Sequence, residues 1–212
     1  MLRALTISVD FSLEEPLSVV QRLALLAAQA LYLFAPLIAS AALAGVVLKH
    51  GWLPRLNRPI DGGRCWQGRR VFGDGKTWRG AFISMLGSGL FVALQRALQE
   101  HLPRALQVVD YSTLQPFAFG LTMGLGAIIG ELPNSFVKRR LGISRGATAT
   151  GPLALPFYIW DQVDTLLGAW PLLCLWFTPS LPLVAISLVI TLGLHPLVSW
   201  IGYLMGARAT AR

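Results

Sequence analysis

Leu23-Ala-Leu-Leu-Ala-Ala-Gln-Ala-Leu-Tyr-Leu-Phe-Ala-Pro-Leu-Ile-Ala-Ser-Ala-Ala-Leu-Ala-Gly-Val-Val-Leu48 decides the fold. It holds 26 residues with no formal charge, closed by Arg22 and Lys49, where about 20 apolar residues suffice to cross a hydrocarbon core. Such a run is too long for the amphipathic face of a globular helix, so the expected solvent is lipid. The rest of the chain agrees, with 54% hydrophobic and only 13% charged residues among 212, against about a quarter charged in soluble domains. The stretch Met1 to Ile7 is too short for the apolar part of a signal peptide, so the first run is expected to stay.

Further spans follow outward from the first. Gly80 to Leu94 is 15 uncharged residues, and Arg96 can snorkel to extend the helix to Leu98. Tyr111 to Gly130 is a third span, with Gly120 and Gly124 spaced for close helix packing. Thr165 to Ala207 has 43 residues without charge, enough for two crossings. Thr178, Pro179, Ser180 and Pro182 break it. The reading is an all-α polytopic integral membrane protein of one domain, residues 1–212. Its five transmembrane helices are placed at about 23–48, 80–98, 111–130, 152–177 and 181–205, with two basic cytoplasmic loops at 49–79 and 131–151.

The net charge of +8 raises nucleic acid as a partner until the charges are placed. Eight of the 18 Lys and Arg residues lie in Lys49 to Arg79, four in Lys138 to Arg145, and Arg208 and Arg212 share their side. The positive-inside rule sets the N-terminus outside, with both loops and the C-terminus in the cytoplasm. The basic excess then has a topological cause, and nucleic acid is not expected to be a partner. Cys65 and Cys174 are too few and too far apart for a disulfide framework.

Topology does not account for Pro59-Ile-Asp-Gly-Gly-Arg-Cys-Trp-Gln-Gly-Arg-Arg-Val-Phe-Gly-Asp-Gly-Lys-Thr-Trp-Arg-Gly80. Six glycines in the loop 49–79, set among Arg69, Arg70 and Lys76 with the Thr77 hydroxyl, are a composition that gathers backbone donors and cations around phosphates. Arg70 stands where a Walker A loop needs glycine, so Gly75-Lys76-Thr77 is not a P-loop. A flexible basic loop on anionic headgroups remains the alternative. A second cluster, Gly130-Glu-Leu-Pro-Asn-Ser-Phe-Val-Lys-Arg-Arg140, offers Glu131 as a metal or water ligand, Asn134 and Ser135 as hydrogen-bonding groups, and Lys138, Arg139 and Arg140 as phosphate clamps. The competing view is a helix end with snorkelling basic residues.

Asp161 and Asp164 stand three apart on one helix face inside an apolar segment. Carboxylates there need a divalent cation, a basic partner or protonation. Oxygen ligands without nearby His or Cys favour magnesium, which commonly takes one or two carboxylates and substrate phosphates. His50, His101 and His195 stand alone and read as structural.

Pro59-Ile-Asp61, Gly68-Arg-Arg70 and Gly73-Asp-Gly-Lys-Thr-Trp-Arg-Gly80 together resemble the signature of CDP-archaeol synthases. Asn134-Ser-Phe-Val-Lys-Arg-Arg140, Asp161-Gln-Val-Asp164 and His195-Pro-Leu are similar to later parts of that family, and the likeness covers roughly residues 20 to 208. Two departures are Glu131 and Gln67, where related synthases tend to have aspartate. The resemblance implies a five-span enzyme that uses CTP and Mg2+ to activate a lipid phosphate, 2,3-di-O-geranylgeranylglycerol 1-phosphate, and releases pyrophosphate. It implies metal ligation by Asp161, Asp164 and Glu131, with Lys138 and Arg139 beside the acids in catalysis. Asp61, Arg69, Arg70, Asp74, Lys76, Thr77, Asn134 and Ser135 are then expected to serve the nucleotide and its phosphates. A CDP-diglyceride synthase acting on phosphatidic acid fits the acid pair and Lys-Arg motif as well. From other classes, a small transporter would use the acids as an ion path without needing the glycine-rich loop, and a lipid-binding scaffold would tolerate their loss.

Overall fold

The computed structural model describes residues 17–204, the side chains of 194–196, 198–199 and 201–202 excepted. Arg3, Arg208 and Arg212 of the charge count, Met205 at the end of the fifth span and the His195 side chain lie outside the described residues. Five long helices carry the fold: α1 (Val19–Lys49), α2 (Trp78–Leu98), α3 (Pro116–Arg140), α4 (Ala154–Leu173) and α5 (Leu181–Leu204). By length and apolarity, Val19–Lys49, Pro116–Arg140 and α2 with its following turn each suffice to cross a membrane. The 20 residues of α4 and 24 of α5 also have crossing length.

Local chemistry sets the helix ends. Ser18 caps α1 in a reciprocal box with Gln21. Thr77 caps α2, its hydroxyl accepting from the Gly80 amide at 3.2 Å. The third helix starts at Pro116, a favoured first position, so residues 111–115, expected inside the span, form a turn before it. At its other end α3 continues past Gly130 through Pro133 to Arg140. The first part of the expected loop 131–151 is therefore helical, and Glu131, Asn134 and Lys138 stand on a fixed helix face. Lys138, Arg139 and Arg140 in the last turn suit the negative end of the helix dipole.

Sequence neighbours pack against each other and α5 returns to α1, closing the five helices into a ring. Two glycine pairs on α3 set the tightest approaches. A Cβ on Gly120 or Gly124 would collide with the α2 backbone at Ser88 to Gly89 and Ser84 to Met85. A Cβ on Gly126 would lie 2.7 Å from Ala169 Cα, and one on Gly130 would strike the Asp164 carbonyl of α4. Leu33, Phe34, Phe119, Met123, Trp170 and Leu173 fill the core. Polar ties run between helices, with the Ser40 hydroxyl donating to Ile83 O at 2.9 Å and Trp170 Nε1 to Ser187 Oγ at 3.0 Å.

Candidate active site

The loop between α1 and α2 is a folded unit built around one carboxylate. Asp61, whose side chain is only 1% exposed, accepts from Arg70 at 2.6 Å and from the amides of Gly63, Phe72 and Gly73 at 3.0 Å each. Burial alone would raise its pKa, but Arg70 and the three amides outweigh that and hold it at about 2. Between these contacts, β1 (Cys65–Trp66) and β2 (Arg69–Arg70) form a small antiparallel hairpin. Its turn residues Gln67 and Gly68 have φ of 51° and 73°, the left-handed pair that suits a two-residue hairpin. Arg140 fastens the hairpin to the end of α3 by donating to the carbonyls of Trp66, Arg69 and Arg70, and Arg69 returns a bond to the Arg140 carbonyl.

With the loop held there, Lys76 reaches α3 and forms an ion pair with Glu131. Beside it, Asn134 Nδ2 donates to Asp161 Oδ1 at 2.6 Å and to Asp164 Oδ2 at 2.7 Å, so one amide group ties the two acids. Lys138 pairs with Asp161 and lies 5.9 Å from the Phe157 ring centroid. The Thr165 amide donates to Asp164 Oδ1 at 2.7 Å, and its hydroxyl stands 3.4 Å from Glu131 Oε1. Lys76, Glu131, Asn134, Lys138, Asp161 and Asp164 thus form one polar cluster where the loop before α2 meets α3 and α4. Asp164 is buried at 7% exposure while the Asp161 side chain is 35% exposed, so Asp161 is the more accessible acid.

The other expected site residues occupy supporting places. Arg70 joins Asp61 to Asp74, and Arg69 holds the end of α3. Thr77 is engaged in capping. Arg139 donates to the Ile143 carbonyl and passes beneath Gly73, its Nε buried without a hydrogen-bond partner among the described residues. Ser135 is buried. Sequence reading missed Thr165, whose only signal is a hydroxyl next to Asp164, and did not anticipate Arg140 as the clasp on the hairpin.

Three carboxylates and two lysines leave this cluster one negative charge in excess, with donors that are all oxygen. Asn134 Oδ1 is also buried without a hydrogen-bond partner among the described residues. Among those residues no three acidic, His or Cys side chains make a complete ligand set. The arrangement suits a hard cation that takes one or two carboxylates here and completes its shell with substrate oxygens.

A family model described as CarS-like CDP-archaeol synthase matches residues 22–211. A CDP-archaeol synthase of Halobacterium salinarum is 40% identical over 158 residues, covering 71% of this chain and 81% of that protein. Another, of Methanosphaerula palustris, is 37% identical over 162 residues, covering 71% and 87%. Among solved structures, an intramembrane enzyme of archaeal membrane lipid biosynthesis aligns with TM-score 0.55 and 27% identity, covering 78% of this chain and 89% of that one.

Proposed function

As this chain belongs to the CDP-archaeol synthase family, we propose that its Lys76–Glu131–Asn134–Lys138–Asp161–Asp164 cluster is where CMP passes from CTP to a lipid phosphate. The protein is a membrane cytidylyltransferase of the CDP-archaeol type, and the acceptor is 2,3-di-O-geranylgeranylglycerol 1-phosphate. A phosphate oxygen of the lipid attacks the α-phosphorus of CTP, the bond to the β-phosphate oxygen breaks, and pyrophosphate leaves. The attacking oxygen is already anionic, so the protein needs no nucleophile of its own and acts by positioning and charge neutralisation.

The observation that supports this site is the convergence of two lysines and the acid pair at the end of the bundle where the glycine-rich loop folds. Lys76 and Lys138 are placed to exchange their carboxylate partners for phosphate oxygens as substrate enters. Asn134 keeps Asp161 and Asp164 at a fixed separation throughout. Asp161 and Asp164, with Glu131 beside them, would hold magnesium, which when bound neutralises phosphate charge and favours departure of pyrophosphate. The loop's Asp61 and Arg70 set Lys76 in place, while Asp74, Arg69, Thr77, Arg139 and Ser135 support the same walls. Both basic segments face the cytoplasm, where CTP is soluble, and the lipid phosphate reaches the site at headgroup level.

Pyrophosphate release by the purified full chain tests the reading, with CTP, magnesium and separately digeranylgeranylglycerol phosphate, phosphatidic acid or no lipid. Release that depends on the ether lipid is expected. Preference for phosphatidic acid would instead assign the CDP-diglyceride reaction, and no lipid-dependent release with either would remove the cytidylyltransferase assignment.

A further inference from the structure

A cavity lies on the other side of α3. At about 100° per residue, Phe136 and Arg140 stand about 200° and 240° round the helix from Asn134, facing away from the reaction cluster. There they meet the hairpin and line a cavity of about 500 Å³ with Trp66, Gln67 and Arg69. Trp66 stacks on Phe136 at 5.4 Å between ring centroids, and the Arg140 guanidinium lies 5.5 Å and 5.1 Å from the two rings.

The electrostatics of this cavity are incomplete. Arg69 and Arg140 donate to backbone carbonyls, and no carboxylate among the described residues forms a salt bridge with either. Gln67 is neutral, so five lining side chains present two positive charges and no negative one. Below the cavity on the same face of α3, Leu125 and Ile129 are exposed at 38% and 47%. They stand 11 and 7 residues before Phe136, close to whole turns, so this apolar stripe runs toward the cavity mouth. Trp66, 53% exposed, has the amphipathic character of an interfacial anchor.

We propose that this cavity binds the headgroup of an anionic membrane lipid, its phosphate facing Arg69 and Arg140 and its chains lying along Leu125 and Ile129. Leu125 and Ile129 lie on a helix long and apolar enough to cross the membrane. Chains packed along them bring a lipid phosphate to the level of Arg69 and Arg140 beside the interfacial Trp66, an anchorage that a soluble anion lacks. The bound lipid acts as a wedge between hairpin and bilayer, on the face of α3 opposite the transferring phosphates.

Native mass spectrometry of the full chain in neutral detergent tests this, with dioleoylphosphatidylglycerol, dioleoylphosphatidylcholine or inorganic phosphate added. The expected result is retained phosphatidylglycerol that phosphatidylcholine and phosphate do not replace. Gln67→Glu adds one negative charge to the wall and is expected to weaken retention about five-fold, the effect of about one interfacial charge. Trp66→Ala is expected to weaken it as well, whereas Lys76→Ala, in the reaction cluster, leaves it unchanged. Equal retention of phosphatidylcholine, displacement by inorganic phosphate, full retention in both Gln67→Glu and Trp66→Ala, or loss in Lys76→Ala would each overturn the proposal. The readout is binding, so its outcome is independent of turnover.

Discussion

Asn134 shows how one uncharged side chain makes a charged site tenable. Two carboxylates in an apolar segment repel each other, and its amide group offers both a donor at 2.6–2.7 Å. Asn134→Ala removes that tie without adding charge, and we expect turnover to fall about 100-fold with the helices intact, read by pyrophosphate release and circular dichroism. Asp161→Asn and Asp164→Asn should each lower turnover about 1,000-fold under the same two measurements. Near-normal activity in either variant would take that acid out of the site. Asp61 acts by a different route, as the hub of the loop. Its pKa of about 2 lies below the ordinary aspartate value of 3.8, so its ionised form is favoured by folding. The stabilisation is complete above about pH 4 and is lost as pH falls through about 2. Amide exchange at Phe72 and Gly73, corrected for intrinsic rates, should therefore be slow at pH 5 and fast near pH 2. In Asp61→Asn it should be fast at both.

The helices were legible because charge-free runs of 15 to 43 residues leave little choice in lipid, and the Pro179 and Pro182 break between α4 and α5 was plain. The end of α3 was not. The charge-free run ends before Glu131, which closes the expected span at Gly130, yet the helix continues to Arg140, with Pro133 inside it and α4 packed closely at Gly130. The candidate residues were likewise visible as types, while the division into the proposed reacting cluster and its scaffold was not. That division depends on contacts such as Arg140 to Trp66 O, across 74 positions of sequence. The glycine seam between α3 and α4 sets how far Glu131 lies from Asp164. Gly130→Ala places a methyl group against the Asp164 carbonyl, so the helices must part. Overpacking of this kind costs about 1–3 kcal/mol, and both thermal stability in detergent and pyrophosphate release are expected to drop. Gly193→Ala in α5, where a Cβ meets nothing within 4 Å among the described residues, is the control and should leave both unchanged.

At the scale of the whole molecule, the ring of antiparallel helices gathers its charge at one end. The loop 49–79, the last turn of α3 and the segment leading into α4 meet there, and residues 49–79 and 138–145 carry 12 of the 15 described Lys and Arg residues. The opposite end is closed by the 99–115 segment, where Gln29 Nε2 donates to Ala105 O at 2.8 Å. By the positive-inside rule this polarity leads us to expect the charged end on the cytoplasmic side, and the proposed use of CTP asks for the same orientation. The protein's own thiols mark the two ends, for Cys65 sits in the hairpin and Cys174 at the end of α4, both exposed and free. Cys174→Ala leaves Cys65 as the single thiol, and Cys65→Ala leaves Cys174. A membrane-impermeant maleimide should label the first variant in inside-out vesicles and only after lysis in right-side-out ones, with the second variant showing the reverse. Labelling of Cys65 from the outer face would invert the molecule in its membrane. It would also place the transfer site away from CTP, so sidedness and function stand or fall together on this measurement.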